Sequence, residues 1–361
     1  MSGPATAASR AGSRQPRRHA RGVTLVELMV ALVLGLVVAG SALALFLTNR
    51  QTHAAGESLA RVQESARIAF ELMARELREA DSLPCLSSSS GVGSVLNGQV
   101  PFTDASWSTS GWWRAWGGGV RGYAAGTIGD ADAIELKATV PLGITLTADQ
   151  GAWDAVSDAA LTVSSTAAID GNDILVVCDF GRPDLVDGGG TVLTDKRVEQ
   201  ATMFQVSAVA SGTSIAHSDA GAAPGNCADT FGDCNPVIGA YLSYVANGEV
   251  GRLRATQWFV DENGRGSSSL YRRSLRNVEG VVRLVDEEIA EGVTDMEIMY
   301  LAGNNDSYVN AASIGATEEA WAAVRAVRVA LTLEDEGLLG PDGEPLRRTL
   351  EHVVAIRSRS S

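Results

Sequence analysis

The chain has 361 residues, of which 45% are hydrophobic and 20% are charged. This composition excludes an intrinsically disordered protein and allows one large or two smaller folded units. The 29 basic and 43 acidic residues give a formal net charge of −14, which argues against a nucleic-acid partner because phosphate binding relies on clustered Lys and Arg.

The first 22 residues contain five arginines and no acidic residue. Under the positive-inside rule, arginines beside an apolar segment stay in the cytoplasm while the rest of the chain crosses the membrane. We therefore expect a single-pass inner-membrane protein with a cytoplasmic N-terminus and a periplasmic body.

Residues 23–47 form an apolar stretch of 25 residues in which Glu27 is the one charged residue. As a helix this stretch would be about 37 Å long, which is enough to cross a bilayer. A secretory signal has a shorter apolar region followed by a small-residue cleavage site. We therefore predict a transmembrane helix with no cleavage behind it.

Glu27 is the informative residue of this stretch. A carboxylate within apolar sequence costs roughly 2.5–3.5 kcal/mol on insertion scales and needs a partner. Cleavage between Gly22 and Val23 would create an α-amine four residues before Glu27. When subunits stack, the Glu27 carboxylate of one subunit could neutralise the amine of its neighbour. The alternative is a plain signal anchor with Glu27 at the headgroup boundary.

Residues 21–28, with the sequence RGVTLVEL, resemble the type IV prepilin peptidase site. In that family a Gly precedes the cut, the new N-terminal residue is methylated and a Glu stands at the fifth mature position. Gly22, Val23 and Glu27 match these positions, although the family usually has Phe where this chain has Val23. The resemblance implies a leader, residues 1–22, that a prepilin peptidase removes, N-methylation of Val23 and a role for Glu27 in assembly.

Residues 48–83 are predicted to continue the helix as an amphipathic segment. No Pro occurs between Val23 and Leu83, so we expect one helix that ends at Pro84 and bends or unwinds locally at Gly35 and Gly40. Two helices with a hinge near Gly56 are the alternative.

Two faces of this segment can be assigned from its spacing. The apolar residues predict a face that packs on a globular head, and the charged residues at four-residue spacing predict a mostly solvated face. The apolar face consists of Leu59, Val62, Ala66, Ala69, Met73, Leu77 and Ala80, and the charged face of Arg67, Glu71, Arg75 and Glu79.

Residues 84–361 have a strand-and-loop composition. A long helix followed by strands predicts an α+β fold, in which an antiparallel sheet packs on the helix. We expect an enlarged head with a second sheet or long insertions, irregular structure at 85–130 and 210–245, and a short helix at 317–323. The predicted strands are 133–140, 145–148, 173–179, 202–209, 253–260, 269–275, 281–285, 294–301, 324–333 and 349–357.

The whole pattern is similar to PilW-type minor pilins. The resemblance is carried by residues 67–78, 173–177, 324–329 and 353–357, in addition to the cleavage motif. It implies a pilin-like fold, and assembly with other minor pilins, the major pilin and the inner-membrane assembly platform. The J-type pseudopilins of type II secretion share much of this pattern and are the closest alternative.

Cysteines are even in number, which suits an oxidising compartment. Cys227 and Cys234 lie in a loop rich in turn formers, where a disulfide would stabilise the fold by about 2–3 kcal/mol. Cys85 and Cys178 would then form a second bridge from the end of the long helix to a strand. Four cysteines permit three pairings, and metal binding is another possibility.

We predict no enzymatic activity, no cofactor and no metal site. Gly117, Gly119 and Gly122 have the spacing G-x-G-x-x-G, but they follow a tryptophan-rich segment rather than a strand, which favours a loop. The four histidines are scattered and lack ligand partners at metal-site spacing. Residues 261–264, DENG, could supply oxygens to calcium but are typical of a hairpin turn.

Four tryptophans occur within ten residues, at positions 107, 112, 113 and 116. On a loop, such a group is either a contact surface for a partner or a segment folded back onto the head. The two hypotheses are equally compatible with the sequence.

Together these features predict a prepilin that is cleaved after Gly22 and initiates or primes a type IV pilus as a minor subunit, passing from the inner membrane to the pilus at the cell surface. The predicted segments are a leader at 1–22, a transmembrane and filament-core helix at 23–47, an amphipathic continuation at 48–83 and a periplasmic head at 84–361. A J-type pseudopilin, a signal-anchored periplasmic enzyme and a structural envelope protein are the alternatives.

Overall fold

The computed structural model of the chain describes residues 22–85, 92–149, 160–179, 185–186, 192–194, 200–210, 212–219, 221–231, 234, 244–303, 306–339 and 345–359. The predicted leader lies outside the described residues, except for Gly22. Two compact units are distinguished, residues 1–57 and residues 58–361, and each is described by itself.

The first element is the long helix α1, Leu25–Glu79. It is helical through Gly35, Gly40 and Gly56, so the alternative of two separate helices is not observed. The helix can be this long because no Pro, which would interrupt its hydrogen bonds, occurs between Val23 and Leu83. The helix ends at Glu79, shortly before Pro84. Asp81, just after it, has a φ of +60°, the left-handed conformation that commonly follows the last helical turn.

Within the unit 58–361, α1 buries one face of its C-terminal half. Ala66, Ala69, Met73 and Leu77 are all buried, as is Ala80 just after the helix, and they recur at the three- and four-residue steps of a helix face. The apolar stripe predicted for this part of the helix is therefore present. Leu59 and Val62 were also predicted to belong to this apolar face, but their side chains lie outside what the structure describes.

The head is built from short and long strands. They pair into an eight-stranded sheet, two three-stranded sheets and one two-stranded sheet among the described residues. In chain order the strands are β1 Val92–Ser94, β2 Val120–Tyr123, β3 Ala133–Thr145, β4 Ala160–Thr162, β5 Ile174–Asp179, β6 Leu185–Val186, β7 Val192–Thr194, β8 Gln200–Gln205, β9 Ala208–Ala210, β10 Ser214–Ala216, β11 Glu249–Glu262, β12 Ser268–Val278, β13 Val281–Glu291, β14 Val293–Ala302, β15 Val324–Leu339 and β16 Pro345–Ala355.

Strand β11 organises the eight-stranded sheet. It pairs with β3 over residues 249–258, with β5 over 249–252 and with β12 over 256–262. A strand has only two edges, so β3 occupies one edge while β5 and β12 follow one another along the other. The order β1-β8-β5-β11-β12-β13 is antiparallel apart from the parallel β1–β8 pair.

The second sheet has the antiparallel order β14-β15-β16. Along β15, Val327, Val329, Leu331 and Leu333 are buried at alternate positions, as expected for a strand with one face on the core. The rings of Phe70 on α1 and His352 on β16 lie 4.4 Å apart between centroids. This sheet therefore packs against the same helix as the larger one.

The α+β class, the long helix and the antiparallel head agree with the sequence prediction, but several details differ. Residues 145–148 do not form a strand of their own, because β3 runs to Thr145 and Leu146 makes a single bridge to Val163. The predicted strand 202–209 is divided between β8 and β9. The predicted short helix is α3, Glu318–Ala322, and it is preceded by an unpredicted α2, Ala311–Ile314.

The regions predicted to be irregular contain unpredicted short elements. They are β1, β2 and a single π-helical turn at Trp107–Gly111 in the first region, and β10 in the second. β4, β6 and β7 were also not predicted. Strands of two to four residues carry too little alternation to stand out in a sequence, because their partners come from distant parts of the chain.

Candidate assembly segment and its attachment to the head

The start of α1 is set by Thr24. The Thr24 carbonyl accepts the first helical hydrogen bond from the amide of Leu28, at 3.1 Å. Its hydroxyl accepts a second bond from the amide of Glu27, at 3.3 Å. These are the contacts of an N-cap residue, so Gly22, Val23 and Thr24 precede the first turn. The peptide bond predicted to be cut, between Gly22 and Val23, therefore lies outside the helix.

Glu27 lies in the first turn of α1 and is exposed. A negative charge is favourable here because the helix dipole is positive at this end. Within the part of the chain that the structure describes, the Glu27 carboxylate forms no hydrogen bond or ion pair; the bond to Thr24 comes from the backbone amide of Glu27. The carboxylate is thus available to a group from outside the described chain.

The residues around Glu27 expose a large apolar surface. One stretch of α1, Leu25–Arg50, is long and apolar enough to cross a membrane, and it is the one such stretch in the described ranges. Val23 is 67% exposed and Leu25 76%. Such a surface is stable only inside lipid or against other apolar surfaces, which indicates membrane anchoring of the N-terminal helix.

The other end of α1 is held by a buried carboxylate, Glu76. Its Oε2 accepts hydrogen bonds from the hydroxyl of Thr256 at 3.0 Å and from the indole N–H of Trp258 at 2.7 Å. Its Oε1 forms an ion pair with Arg272 Nη1 at 3.1 Å. Buried charges are tolerated when they are paired and hydrogen-bonded in this way. Glu76 therefore fixes α1 to β11 and β12.

Glu79, one turn further on, was predicted to be part of the solvated face. Arg67, Glu71 and Arg75 are indeed exposed, but Glu79 forms an ion pair with Arg254 of β11 at 2.6 Å. Partial burial opposes ionisation, yet the bonds from Arg254 and Arg75 lower the pKa of Glu79. This carboxylate is a second contact between the helix and the large sheet. Its side chain stays 40% exposed and pairs with Arg75 on the predicted face, while the ion pair with Arg254 was not predicted.

Two disulfides connect the described cysteines. Cys85, just after α1, is bonded to Cys178 on β5, with 6.0 Å between their Cα atoms. Cys227 is bonded to Cys234 across seven positions, with 5.7 Å between their Cα atoms. Of the three possible pairings, this is the one predicted from the position of Cys227 and Cys234 in a loop rich in turn formers. The first bridge ties the segment after the helix to the sheet, close to the contacts of Glu76 and Glu79.

The tryptophan group is part of the core. Trp107, Trp112, Trp113 and Trp116 are all buried, so the hypothesis of an exposed contact surface is wrong for them. The indole N–H of Trp107 donates to the buried carboxylate of Glu135, at 3.1 Å. This segment is folded back onto the head and supplies hydrogen bonds as well as apolar area.

The remaining sequence candidates are dispersed. His53 lies beside Glu57 on the exposed part of α1, His217 is buried among Phe204 and Phe231, and His352 packs on Phe70; His19 lies outside the described residues. In the described ranges, no group of three His, Cys, Asp or Glu is arranged to hold a metal ion. Residues 263–267 connect β11 and β12, so the DENG segment is at a hairpin turn, as predicted.

Two family models match the chain. Residues 17–43 match the prokaryotic N-terminal methylation motif, and residues 257–357 match the type IV pilus-assembly protein W family. The chain carries the signatures of a PilW-type type IV pilin. No curated protein matches it. The first description names N-terminal methylation and the second names type IV pilus assembly.

The two matches fall on different parts of this PilW-type pilin. The methylation motif covers Gly22, Val23, Glu27 and most of the exposed apolar stretch, up to residue 43. The second match begins within β11, contains β12 to β16, and includes two of the partners of Glu76, Trp258 and Arg272. The motif could be found from sequence by its spacing, whereas Glu76 could not, because its partners lie about 180 residues away and leave no local pattern.

Proposed function

We propose that this PilW-type pilin is a minor pilin, which a prepilin peptidase cuts between Gly22 and Val23 and which then primes or caps a type IV pilus. The observation that carries the proposal is the start of α1. A non-helical Gly22–Val23 bond precedes an exposed apolar helix whose first turn holds one carboxylate without a partner among the described residues. The match to the methylation motif supports the same bond as the cleavage point.

Assembly would be directed by electrostatics in an apolar environment. Cleavage converts the Val23 nitrogen into an α-amine, which stays basic after a methyl group is added. An ion pair between this amine and the Glu27 carboxylate of the adjoining subunit would remove two uncompensated charges from apolar surroundings. Such a contact joins different surfaces of the two subunits, and repeated contacts of that kind build a filament.

The apolar surface of α1 supplies the second contribution. Residues 23–47 would first lie in the inner membrane, with the arginine-rich leader in the cytoplasm and residues 84–361 in the periplasm. On assembly, apolar packing against neighbouring subunits would replace lipid contact, and residues 48–83 would connect the filament core to the head. The large head suits a priming or tip position better than a bulk repeat. Other minor pilins, the major pilin and the inner-membrane platform are the proposed partners.

A J-type pseudopilin is the nearest alternative, since it would be processed in the same way. The match of residues 257–357 to the PilW family favours the pilus. A signal-anchored periplasmic enzyme would keep its leader and would have no use for Glu27.

Mass spectrometry of the mature N-terminus tests the first step. The full-length chain, expressed in its host or together with a prepilin peptidase, should begin at Val23 and carry one added methyl group. Gly22→Val should remain uncut, because the motif requires Gly before the cut. Gly35→Ala changes a glycine of the same helix that has open space around it and should be processed normally. A mature protein that still carries the arginines would refute the proposal.

Filament incorporation tests the second step. Glu27→Gln removes the charge with little change of shape and should abolish incorporation, while the chain still reaches the membrane and is still cut. Glu71→Gln is the matched control, since this exposed carboxylate lies on the same helix outside the apolar stretch. Normal incorporation of Glu27→Gln would eliminate the ion pair from the mechanism. Loss of twitching, rather than loss of secretion, on deletion would distinguish the pilus from the pseudopilus.

A further inference from the structure

The end of α1 is closed by two residues that lie far away in the sequence, Ser358 and Arg359. The hydroxyl of Ser358 donates to the carbonyl of Ala80 at 2.9 Å. Arg359 Nε and Nη2 contact Asp81 Oδ2 at 2.9 and 2.8 Å. A helix leaves its last carbonyl groups unsatisfied, and here one of them is satisfied by a segment 278 positions further along the chain. We call Ser358 and Arg359 the C-terminal latch.

The guanidinium group of Arg359 contacts four residues. Besides Asp81, its Nη1 donates to the carbonyls of Trp321 and Val324, both at 2.8 Å, and its Nη2 donates to the carbonyl of Gly118. Four of the five N–H donors of a guanidinium thus donate hydrogen bonds, and Nη2 also lies at ion-pair distance from Asp81. The Arg359 side chain is 9% exposed and that of Asp81 5%, so the pair is buried and would be costly to break.

The glycine-rich segment singled out in the sequence forms the cradle for this pair. Gly117, Gly118 and Gly119 all have positive φ values, between 59° and 72°, which side chains other than Gly rarely adopt. An added Cβ on Gly119 would overlap the carboxylate of Asp81. The indole N–H of Trp116 donates to Asp81 Oδ1 at 2.7 Å.

The latch residues lie shortly after β16, so formation of the latch depends on the position of that strand. Ser358 and Arg359 follow β16, and the amide of Ile356 between them and the strand donates to the carbonyl of Arg325 at 2.9 Å. The latch residues therefore reach Asp81 only when β16 lies beside β15. Before that, the end of α1 is attached through Glu76, Glu79 and the Cys85 disulfide. It is also attached through two backbone bonds to β3, from the Asp81 amide to the Lys137 carbonyl at 2.7 Å and from the Thr139 amide to the Ser82 carbonyl at 2.9 Å. The buried Asp81 carboxylate still lacks Arg359 at that stage.

We propose that the C-terminal latch is a conformational device that completes the attachment of the end of α1 to the head only after the β14–β16 sheet has formed. It adds to the backbone bonds between residues 81–82 and β3, and it couples completion of the β14–β16 sheet to the stability of residues 77–83. Opening of the latch destabilises this segment locally and leaves the large sheet folded, because β3, β5, β11 and β12 hold one another through their own ladders.

Hydrogen exchange of the full-length protein in detergent tests the proposal. In Arg359→Ala, amides of residues 77–83 should exchange roughly 10- to 100-fold faster than in the unmodified protein, while amides of β3 and β11 keep their rates. Arg359→Lys should behave similarly, because an ammonium group keeps the charge but not the planar fork that reaches four partners. Ser358→Ala removes a single bond and should give a smaller increase confined to the same segment.

Arg347→Ala is the matched control. It removes an exposed arginine of β16 that pairs with Glu334 at 3.0 Å, and it should leave the exchange of residues 77–83 unchanged. Unchanged exchange there in Arg359→Ala would overturn the proposal. A uniform rise over the whole head in both Arg359→Ala and Ser358→Ala would also overturn it, because the residues would then contribute to global stability without acting as a latch.

Discussion

The carboxylate of Glu76 on α1 accepts the indole N–H of Trp258 on β11 at 2.7 Å, in a site where both side chains are buried. The same carboxylate is bonded to Thr256 and paired with Arg272. The helix and the large sheet are therefore connected by a hydrogen-bonded charge as well as by apolar packing. Because a buried charge without partners is unfavourable, this contact tolerates little change in the position of the helix.

Replacing Glu76 should destabilise the head strongly. In Glu76→Ala, the Trp258 indole and the Arg272 guanidinium lose a buried partner, which should lower the free energy of unfolding by about 3–5 kcal/mol. Glu71→Ala is the control, because Glu71 is exposed and pairs only with Arg67 on the same helix; it should cost less than about 0.5 kcal/mol. Denaturant unfolding of the full-length chain in detergent measures both, and equal losses would contradict the anchoring role.

The two disulfides should contribute unequally. Cys85–Cys178 closes a loop of 93 positions and Cys227–Cys234 one of 7. From the chain entropy of the unfolded state, we expect about 4–5 kcal/mol for the first and about 2 kcal/mol for the second. Thermal unfolding of Cys85→Ser with Cys178→Ser, compared with Cys227→Ser with Cys234→Ser, checks the order. A larger loss for the short loop would show that the contacts of that loop outweigh chain entropy.

His217 should make the head sensitive to mild acid. Burial lowers the pKa of His217 to about 4, well below its ordinary value of 6.5. The native state therefore keeps this ring neutral while the unfolded chain takes up a proton, so the stabilising contribution is complete above pH 6.5 and is lost as the pH falls towards 4. The loss amounts to about 3 kcal/mol at most.

Unfolding curves at pH 7 and pH 5 measure this effect. His217→Phe keeps an aromatic ring beside Phe231, whose ring is stacked on the imidazole, and cannot be protonated. The variant should lose less stability than the unmodified protein over this interval. An identical pH dependence of the two proteins would exclude His217 as the source.

A second titration should affect the β12–β13 hairpin at lower pH. Acids of β13 are paired with arginines of β12 and of the preceding β11–β12 connection. Arg272 and Arg273 of β12 pair with Glu287 and Asp286, and Arg265 of the connection pairs with Glu288. The bonds from Arg272 and Arg265 lower the pKa values of Glu287 and Glu288. Their contribution is therefore present above about pH 4.5 and is lost as the pH falls below it.

Because the side chains of Glu287 and Glu288 remain 31% exposed, the acid effect on the hairpin should be modest and should weaken with salt. Hydrogen exchange of β13 should accelerate below pH 4.5 relative to that of β11, once the intrinsic pH dependence is removed. In Glu287→Gln the additional acceleration should be reduced. No difference between β13 and β11 would show that these pairs do not stabilise the hairpin.

Much of this architecture could be predicted where the signal is local. The long helix follows from the lack of Pro between Val23 and Leu83, and the long strands β11, β12 and β15 follow from alternation within one segment. The cleavage motif is local as well, although its three residues, Gly22, Val23 and Glu27, stay predictions until the mature N-terminus is measured.

The remaining features depend on contacts between residues that lie far apart in the sequence. Nothing near Glu76 distinguishes it from the exposed Glu71, because burial is decided by Trp258 and Arg272. The tryptophans at 107–116 were compatible with a surface or a core, since the choice depends on where Glu135 and Asp81 lie. The ion pair of Glu79 was not predicted for the same reason: Arg254 lies 175 positions away.

The position of β11 has a consequence for how the head comes apart. Val250 packs in one hydrophobic cluster of the head, and Leu253, Ala255 and Trp258 pack in the other. Unfolding of either cluster would remove strands that pair with β11. Because β11 is part of both clusters, the loss of these strands would also destabilise the other cluster. The head should therefore be lost in one cooperative transition.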